Sequence, residues 1–158
     1  MIKIMFVCHG NICRSPMAEF IMKDMVNKRG LANEFLIASS ATSDEEIRNG
    51  TGNRMYPPAQ AELKRNGIPF EPRRATRLTQ EDYGKYDLLI GMDSANIRNI
   101  HRILGGDPKN KIHKLMEYTS TPADVSDPWY SDRFDIAFKD ISNGCSCLLE
   151  SLISRKSV

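Results

Sequence analysis

The feature that most constrains this chain is its opening, MIKIMFVC, an apolar and β-branched run broken once by Lys3 and stopped at once by His9, Gly10 and Asn11. Such a run, bounded by turn-forming residues, is a buried strand emptying into a loop. Ser15 followed by Pro16 then restarts order, because serine is a good N-cap and proline a good first helical residue. A helix is expected from there. Its apolar residues Ala18, Ile21, Met22, Met25 and Val26 fall on one face, and Gly30 stands where a left-handed terminus is wanted.

The same alternation recurs. Strands are expected at residues 35–38, 87–92 and 111–116, and helices at 58–66 (closed by Gly67), at 95–104 (capped by Asp93 or Ser94) and at about 133–155, with Gly144 a weak point in the last. Strands alternating with helices predict an α/β fold, a four-stranded parallel sheet with helices on both faces in a flavodoxin-like three-layer sandwich. Two long loops, 39–57 and 117–131, are expected to carry function at one edge of the sheet.

Composition narrows the class. The 158 residues suit a single domain spanning 1–158, and 41% hydrophobic residues supply a real core. Twenty-two basic residues against 20 acidic ones leave a net charge of +2, too balanced for a nucleic-acid or polybasic membrane binder. No apolar run approaches the roughly 18 residues of a membrane span, so a cytoplasmic protein is expected. Four cysteines are too sparse for a disulfide framework. Cys145 and Cys147, two apart on a helix, point to different faces, which suits core packing better than a shared metal. His9, His101 and His113 show no metal-ligand spacing, and no metal or other cofactor is expected.

Chemistry concentrates in Cys8, Arg14 and Ser15, a C-x5-R-S pattern between strand end and helix start. Loop N–H groups and a helix N-terminus there can cradle a tetrahedral dianion. Gly10 and Asn11 tolerate the left-handed backbone this needs. Arg14 adds a planar fork that matches two phosphoryl oxygens. The same positive field favours a Cys8 thiolate, a nucleophile lying directly under phosphorus. Attack on a phosphate ester also needs a proton donor for the leaving oxygen. Asp127 is the candidate, held extended by Pro128, with Trp129 and Tyr130 expected to shield its carboxyl group and wall a flat substrate ring.

These residues make the chain resemble the low-molecular-weight protein-tyrosine phosphatases. Val7 to Phe20, VCHGNICRSPMAEF, is similar to that family's phosphate-binding loop and following helix. Asp127-Pro128-Trp129-Tyr130 is similar to its late acid loop, and Ala41-Thr42-Ser43 and Met92-Asp93 with Asn96 also match. The resemblance implies hydrolysis of phosphotyrosine on proteins through a cysteinyl-phosphate, with Cys8 as nucleophile, Arg14 as transition-state binder and Asp127 as proton donor. It makes His9, Gly10, Asn11, Ile12, Cys13 and Ser15 the phosphate loop, Trp129 and Tyr130 substrate contacts, and Ser39 a support. Tyrosine-phosphorylated proteins are the implied partners, and a monomer or weak dimer the expected state. A Cys8–Cys13 disulfide under oxidation is a further expectation.

The chain departs from the family pattern at Asp44, Glu45 and Glu46, where an aromatic pocket residue is common, and at His9 and Asn66. An acidic mouth would oppose acidic phosphopeptides. Arg73, Arg74 and Arg77 read as a solvated basic patch. Two other classes share the cradle. A thiol-dependent arsenate reductase also needs resolving cysteines in the later-middle chain, and none lies between Cys13 and Cys145. A non-catalytic phosphate-binding module would need neither Cys8 nor Asp127.

Overall fold

The computed structural model describes residues 1–156. The opening run forms β1 (Ile2–Cys8), and its period-two alternation divides two cores. Ile4, Phe6 and Cys8 face one apolar cluster, Met5 and Val7 the other. A strand buried on both faces belongs at the centre of a sheet, and β1 pairs in parallel with β2 (Phe35–Ala41) on one side and β5 (Leu88–Gly91) on the other. Strand β6 (Ile112–Lys114) completes the parallel order β2-β1-β5-β6 beside β5. A small antiparallel hairpin, β3 (Ile47–Arg48) with β4 (Thr51–Gly52), stands apart.

Helices cover both faces of the four-stranded sheet, giving the expected three layers. On one side lie α1 (Arg14–Lys28), α2 (Pro57–Arg65) and α6 (Phe134–Lys156), which contribute Met17, Ile21, Leu63, Ile141 and Leu148 to the larger core. On the other, α3 (Asp82–Lys85) and α4 (Ser94–Leu104) pack Tyr83, Ile97 and Ile100 over Val7 and Leu89. Among the described residues no helix is long and apolar enough to cross a membrane. The chain leaves β1 to pair on one side and later returns to pair on the other. The crevice beyond the C-terminal ends of β1 and β5 is therefore the switch point at which such sheets take ligands.

Several boundaries differ from expectation for physical reasons. Strand β2 runs three residues past Ala38, because Ser39 and Ser40 are buried by partners that the polar pattern does not announce. Helix α1 starts at Arg14 with Cys13 as its N-cap, and Cys13 makes no side-chain capping bond. Pro16 still costs nothing, since the whole first turn lacks intrahelical acceptors. Strand β6 is short and gives way to a 3-10 turn, Leu115–Tyr118. Gly144 is no weak point: a Cβ there would lie 2.6 Å from Leu115 Cγ, so the glycine lets α6 press onto that turn. Loop 39–57 contains the hairpin, and a Cβ on Gly52 would fall 1.9 Å from the Ala75 carbonyl oxygen.

Candidate active site

The chain leaving β1 turns at Asn11, which is fully buried and holds a left-handed φ of 59°, and enters α1 three residues later. That turn folds the segment over the Cys8 sulfur. Cys8 Sγ lies 3.3 Å from the Asn11 backbone nitrogen, 3.4 Å from the Ser15 backbone nitrogen and 3.0 Å from Ser15 Oγ. Ser15 therefore serves the sulfur instead of capping the helix. Its hydroxyl oxygen accepts from Asn11 Nδ2 at 2.8 Å, and its hydroxyl donates to the Ser40 carbonyl oxygen at 3.5 Å.

The Asn11 side chain also donates to Ser39 Oγ at 3.0 Å, and Ser39 Oγ donates to Glu19 Oε1 at 2.6 Å. Ser39 thus supports the cradle from β2. Behind it stands a residue that sequence reasoning assigned to a solvated patch. Arg73 Nη1 donates to the Asn11 carbonyl oxygen at 2.6 Å, and Arg73 Nη2 donates to Asn11 Oδ1. Arg77 does sit at the surface, paired with Asp44 at 2.8 Å, and Arg74 donates to the Gly52 carbonyl oxygen at 3.0 Å. Three arginines close in sequence take three different jobs, and spacing alone carries no sign of which turns inward.

Arg14 is 3% exposed and rigidly held. Its Nη2 donates to Asp93 Oδ2 at 2.8 Å and its Nη1 to the Val125 carbonyl oxygen at 2.9 Å. Burial alone would lower the guanidinium, but the negative charges of Cys8, Asp127 and Asp93 carry it above its ordinary range. Asp93 does two things at once, since its Oδ1 accepts from the Asn96 backbone nitrogen as the cap of α4. The capping motif was legible in sequence; its grip on Arg14 was not.

Asp127 arrives from the far end of the chain. The segment carrying it docks where Val125 N donates to the Met92 carbonyl oxygen at 2.9 Å and where Asp124 accepts from Ser94 and from Lys114 Nζ. Asp127 Oδ2 then lies 3.5 Å from Arg14 Nη2, while its Oδ1 accepts from the Trp129 backbone nitrogen and caps α5 (Pro128–Ser131). The aromatic neighbours do not seal the carboxyl group. Trp129 is 52% exposed with its ring against Tyr56, centroids 5.1 Å apart, and Tyr130 is 87% exposed. They form an open wall instead.

Together these elements enclose a cavity of about 470 Å³. Cys8, Gly10, Ile12, Cys13 and Arg14 form its floor, Asp127, Trp129 and Tyr130 one wall, and His9, Glu45 and Glu46 part of its mouth. Asn11, Ser15 and Ser39 stand behind the floor. The acidic mouth is partly bridged: His9 Nε2 pairs with Glu45 at 2.9 Å and Asn53 donates to Glu46 at 2.6 Å. Cys13 and Cys8 are both free thiols, and burial, helped by the charges of Cys8 and Asp127, pushes the Cys13 thiol up to about 12. Cys145 is buried among core side chains, as expected. No cluster able to hold a metal ion occurs among the described residues.

A cysteine sulfur under an oxyanion cradle at a sheet switch point defines a phosphate-directed site, and comparison with known proteins gives it a family. Residues 3–158 match the model of the low molecular weight phosphotyrosine protein phosphatases. The chain is 36% identical over the full length of both proteins to the low molecular weight protein-tyrosine-phosphatase YfkJ of Bacillus subtilis. It is also 36% identical to a low molecular weight phosphotyrosine protein phosphatase of Schizosaccharomyces pombe, covering 96% of this chain and 97% of that protein. The crystal structure of YfkJ superposes with a TM-score of 0.92 at 35% identity, covering 99% of this chain and 97% of the other. The chain belongs to the low molecular weight protein-tyrosine phosphatase family, whose members are cysteine-dependent hydrolases.

Proposed function

We propose that this protein hydrolyses phosphotyrosine and other aryl phosphate monoesters, with Cys8 as nucleophile, Arg14 as phosphate and transition-state binder and Asp127 as general acid and base. The observation that carries the reading is the convergence of the Asn11 N–H, the Ser15 N–H and the Ser15 hydroxyl on Cys8 sulfur, with Arg14 fixed beside it and Asp127 across from it.

In this reading the dianion sits over the floor, its equatorial oxygens taken by loop N–H groups and the Arg14 fork. Cys8 sulfur attacks phosphorus in line. The bond from phosphorus to the ester oxygen breaks as Asp127 delivers a proton to that oxygen, and a cysteinyl-phosphate remains. Water next attacks phosphorus opposite sulfur, the Asp127 carboxylate takes its proton, and the S–P bond breaks to release inorganic phosphate and the thiolate. Trp129 and Tyr130 flank the substrate ring. The arsenate-reductase alternative loses ground to the same facts as before, since Cys145 lies buried on α6 in the core.

The chain works as one phosphatase domain on phosphoproteins, as a monomer or weak dimer in the cytoplasm, without nucleic-acid or membrane partners. The test is phosphate release, with chelator present, from an aryl phosphate and from phosphotyrosine and phosphoserine peptides, for wild type beside Cys8→Ser. Chelator-resistant release from the aryl and phosphotyrosine substrates, absent in the variant, is the expected result. No release from any substrate would overturn the reading.

A further inference from the structure

Asp127 has little of its own to hold it in place. Its Oδ2 contact with Arg14 is long, at 3.5 Å, and its Oδ1 is spent on the Trp129 backbone nitrogen within the same segment. A dianion taking the Arg14 fork competes even for the first of these. The reach of the carboxyl group to a leaving oxygen therefore depends on how the backbone around it is fastened, and misplacing a reacting group by about 1 Å can cost about 10²-fold.

The approach to Asp127 is sparsely fastened. From Thr121 to Asp124 every residue is exposed and outside any helix or strand, and Val125 is the first to be buried. Asp124 is the exception among the exposed ones. Its Oδ1 gathers three donors from two other elements: the Ser94 backbone nitrogen at 3.1 Å, the Ser94 hydroxyl at 3.2 Å and Lys114 Nζ at 2.8 Å. Lys114 Nζ also lies 3.3 Å from Ser94 Oγ, which closes the triangle. Since Ser94 opens α4 and Lys114 ends β6, one carboxylate ties the acid segment to both. It also sits at the positive end of α4.

This clasp is poorly placed to stabilise the fold. Asp124 is 51% exposed and Lys114 25%, and ion pairs in water contribute little to stability. It is well placed to fix a position. Asp124 stands three residues before Asp127 and next to Val125, whose N–H donates to the Met92 carbonyl oxygen and whose own carbonyl accepts from Arg14.

We propose that Asp124 is a positioning residue for the proton donor, its carboxylate clasped by Ser94 and Lys114 so that the segment carries Asp127 to the leaving oxygen of the substrate. The proposal rests on the reading of Asp127 as general acid. Two routes from the clasp to the chemistry differ in their signature. Loosening felt through Arg14 slows every phosphate ester alike, whereas loosening felt through Asp127 slows only esters whose leaving group needs a proton.

The experiment compares kcat/KM for phenyl phosphate and p-nitrophenyl phosphate in wild type, Asp124→Ala, Asp124→Asn, Lys114→Met, Asp127→Asn and the Asp124→Ala, Asp127→Asn double variant. Amide hydrogen exchange over residues 119–133 is followed alongside in wild type and in the Asp124 and Lys114 single variants. Asp124→Ala is expected to lower kcat/KM by about tenfold for phenyl phosphate and by no more than about twofold for p-nitrophenyl phosphate, with faster exchange across the segment. Asp124→Asn keeps an acceptor for Ser94 but loses the charge facing Lys114, so it and Lys114→Met should show the same selectivity in smaller measure. In the Asp127→Asn background Asp124→Ala should change neither substrate further, because the group it positions is already gone.

No loss in Asp124→Ala, an equal loss for both substrates, or a loss that persists without the Asp127 carboxyl overturns the proposal. Unaltered exchange in Asp124→Ala overturns the clasp itself, whatever the rates. Should that variant fail to fold, Asp124→Asn and Lys114→Met carry the same decisions. Asp127→Asn with no selectivity between the two esters removes the general-acid reading instead, and exchange still judges whether Asp124 fixes the segment.

Discussion

The proposed nucleophile and the proposed acid come from regions built on opposite plans. From Asn11 to Ser15 every residue of the cradle is buried, and its polar atoms close a network through Ser39, Glu19 and Arg73. The segment around Asp127 touches the body at Asp124, Val125, Asp127 and Pro128 and leaves half of Trp129 and most of Tyr130 in water. The difference follows what each must do. An anion is stabilised by dipoles fixed before it arrives, whereas a leaving group needs a proton donor that is near yet open to a large substrate.

The sharpest way to break this comparison is at sulfur. Cys8→Ser should lower phosphate release by at least about 10⁴-fold, since removing a nucleophile from a covalent mechanism costs that much or more. Binding of inorganic phosphate, followed by calorimetry, should survive. Asp127→Asn comes next. A positioned acid contributes roughly 10²- to 10⁴-fold, and the loss should be larger for phenyl phosphate than for p-nitrophenyl phosphate, whose leaving group needs the proton less. Equal losses for both would show that Asp127 acts on something other than the leaving oxygen.

On the other side of the comparison, Asn11→Ala strips partners from Ser15, Ser39 and Arg73 at once and should destabilise the fold by about 1–3 kcal/mol in urea unfolding. The corresponding cut in the acid segment is smaller. Asp124→Asn removes an exposed pair with Lys114, worth about 0.2–1 kcal/mol after solvent screening. Hydrogen bonding from Lys114 holds the Asp124 carboxyl below its ordinary value, against the opposing pull of partial burial. A depressed folded value means the contribution is complete above the unfolded carboxylate range and fades as pH falls through the lower folded one. The melting difference between wild type and variant should therefore be constant near neutrality and close in acid.

How much of this was legible depended on how local the cause was. Strand β1, the cradle after it and the long face of α6 are written in neighbouring residues, so periodicity and turn chemistry found them. The capping of α4 was visible as a choice between Asp93 and Ser94, and Asp93 takes it. The end of β2 was not, because Ser39 and Ser40 look like loop residues until Asn11, Glu19 and Ser15 reach them from other elements. Arg73 was hidden for the same reason, its direction being set by Asn11, 62 positions away in sequence. Even Trp129 was half read: its place at the mouth followed from its neighbour Asp127, but its tilted contact with Tyr56 came from a distant turn before α2.

That indole ring gives the molecule an optical property. Trp129 is the chain's one tryptophan, and it lines the cavity with half of its surface in water. Indole fluorescence from this protein thus originates at a single place, at the lip of the site. An oxyanion settling on Cys8 and Arg14 engages the guanidinium that Asp127 faces, and the emission of the indole two residues on is expected to change with it. Occupancy can then be followed by titration in unmodified protein, with no label attached.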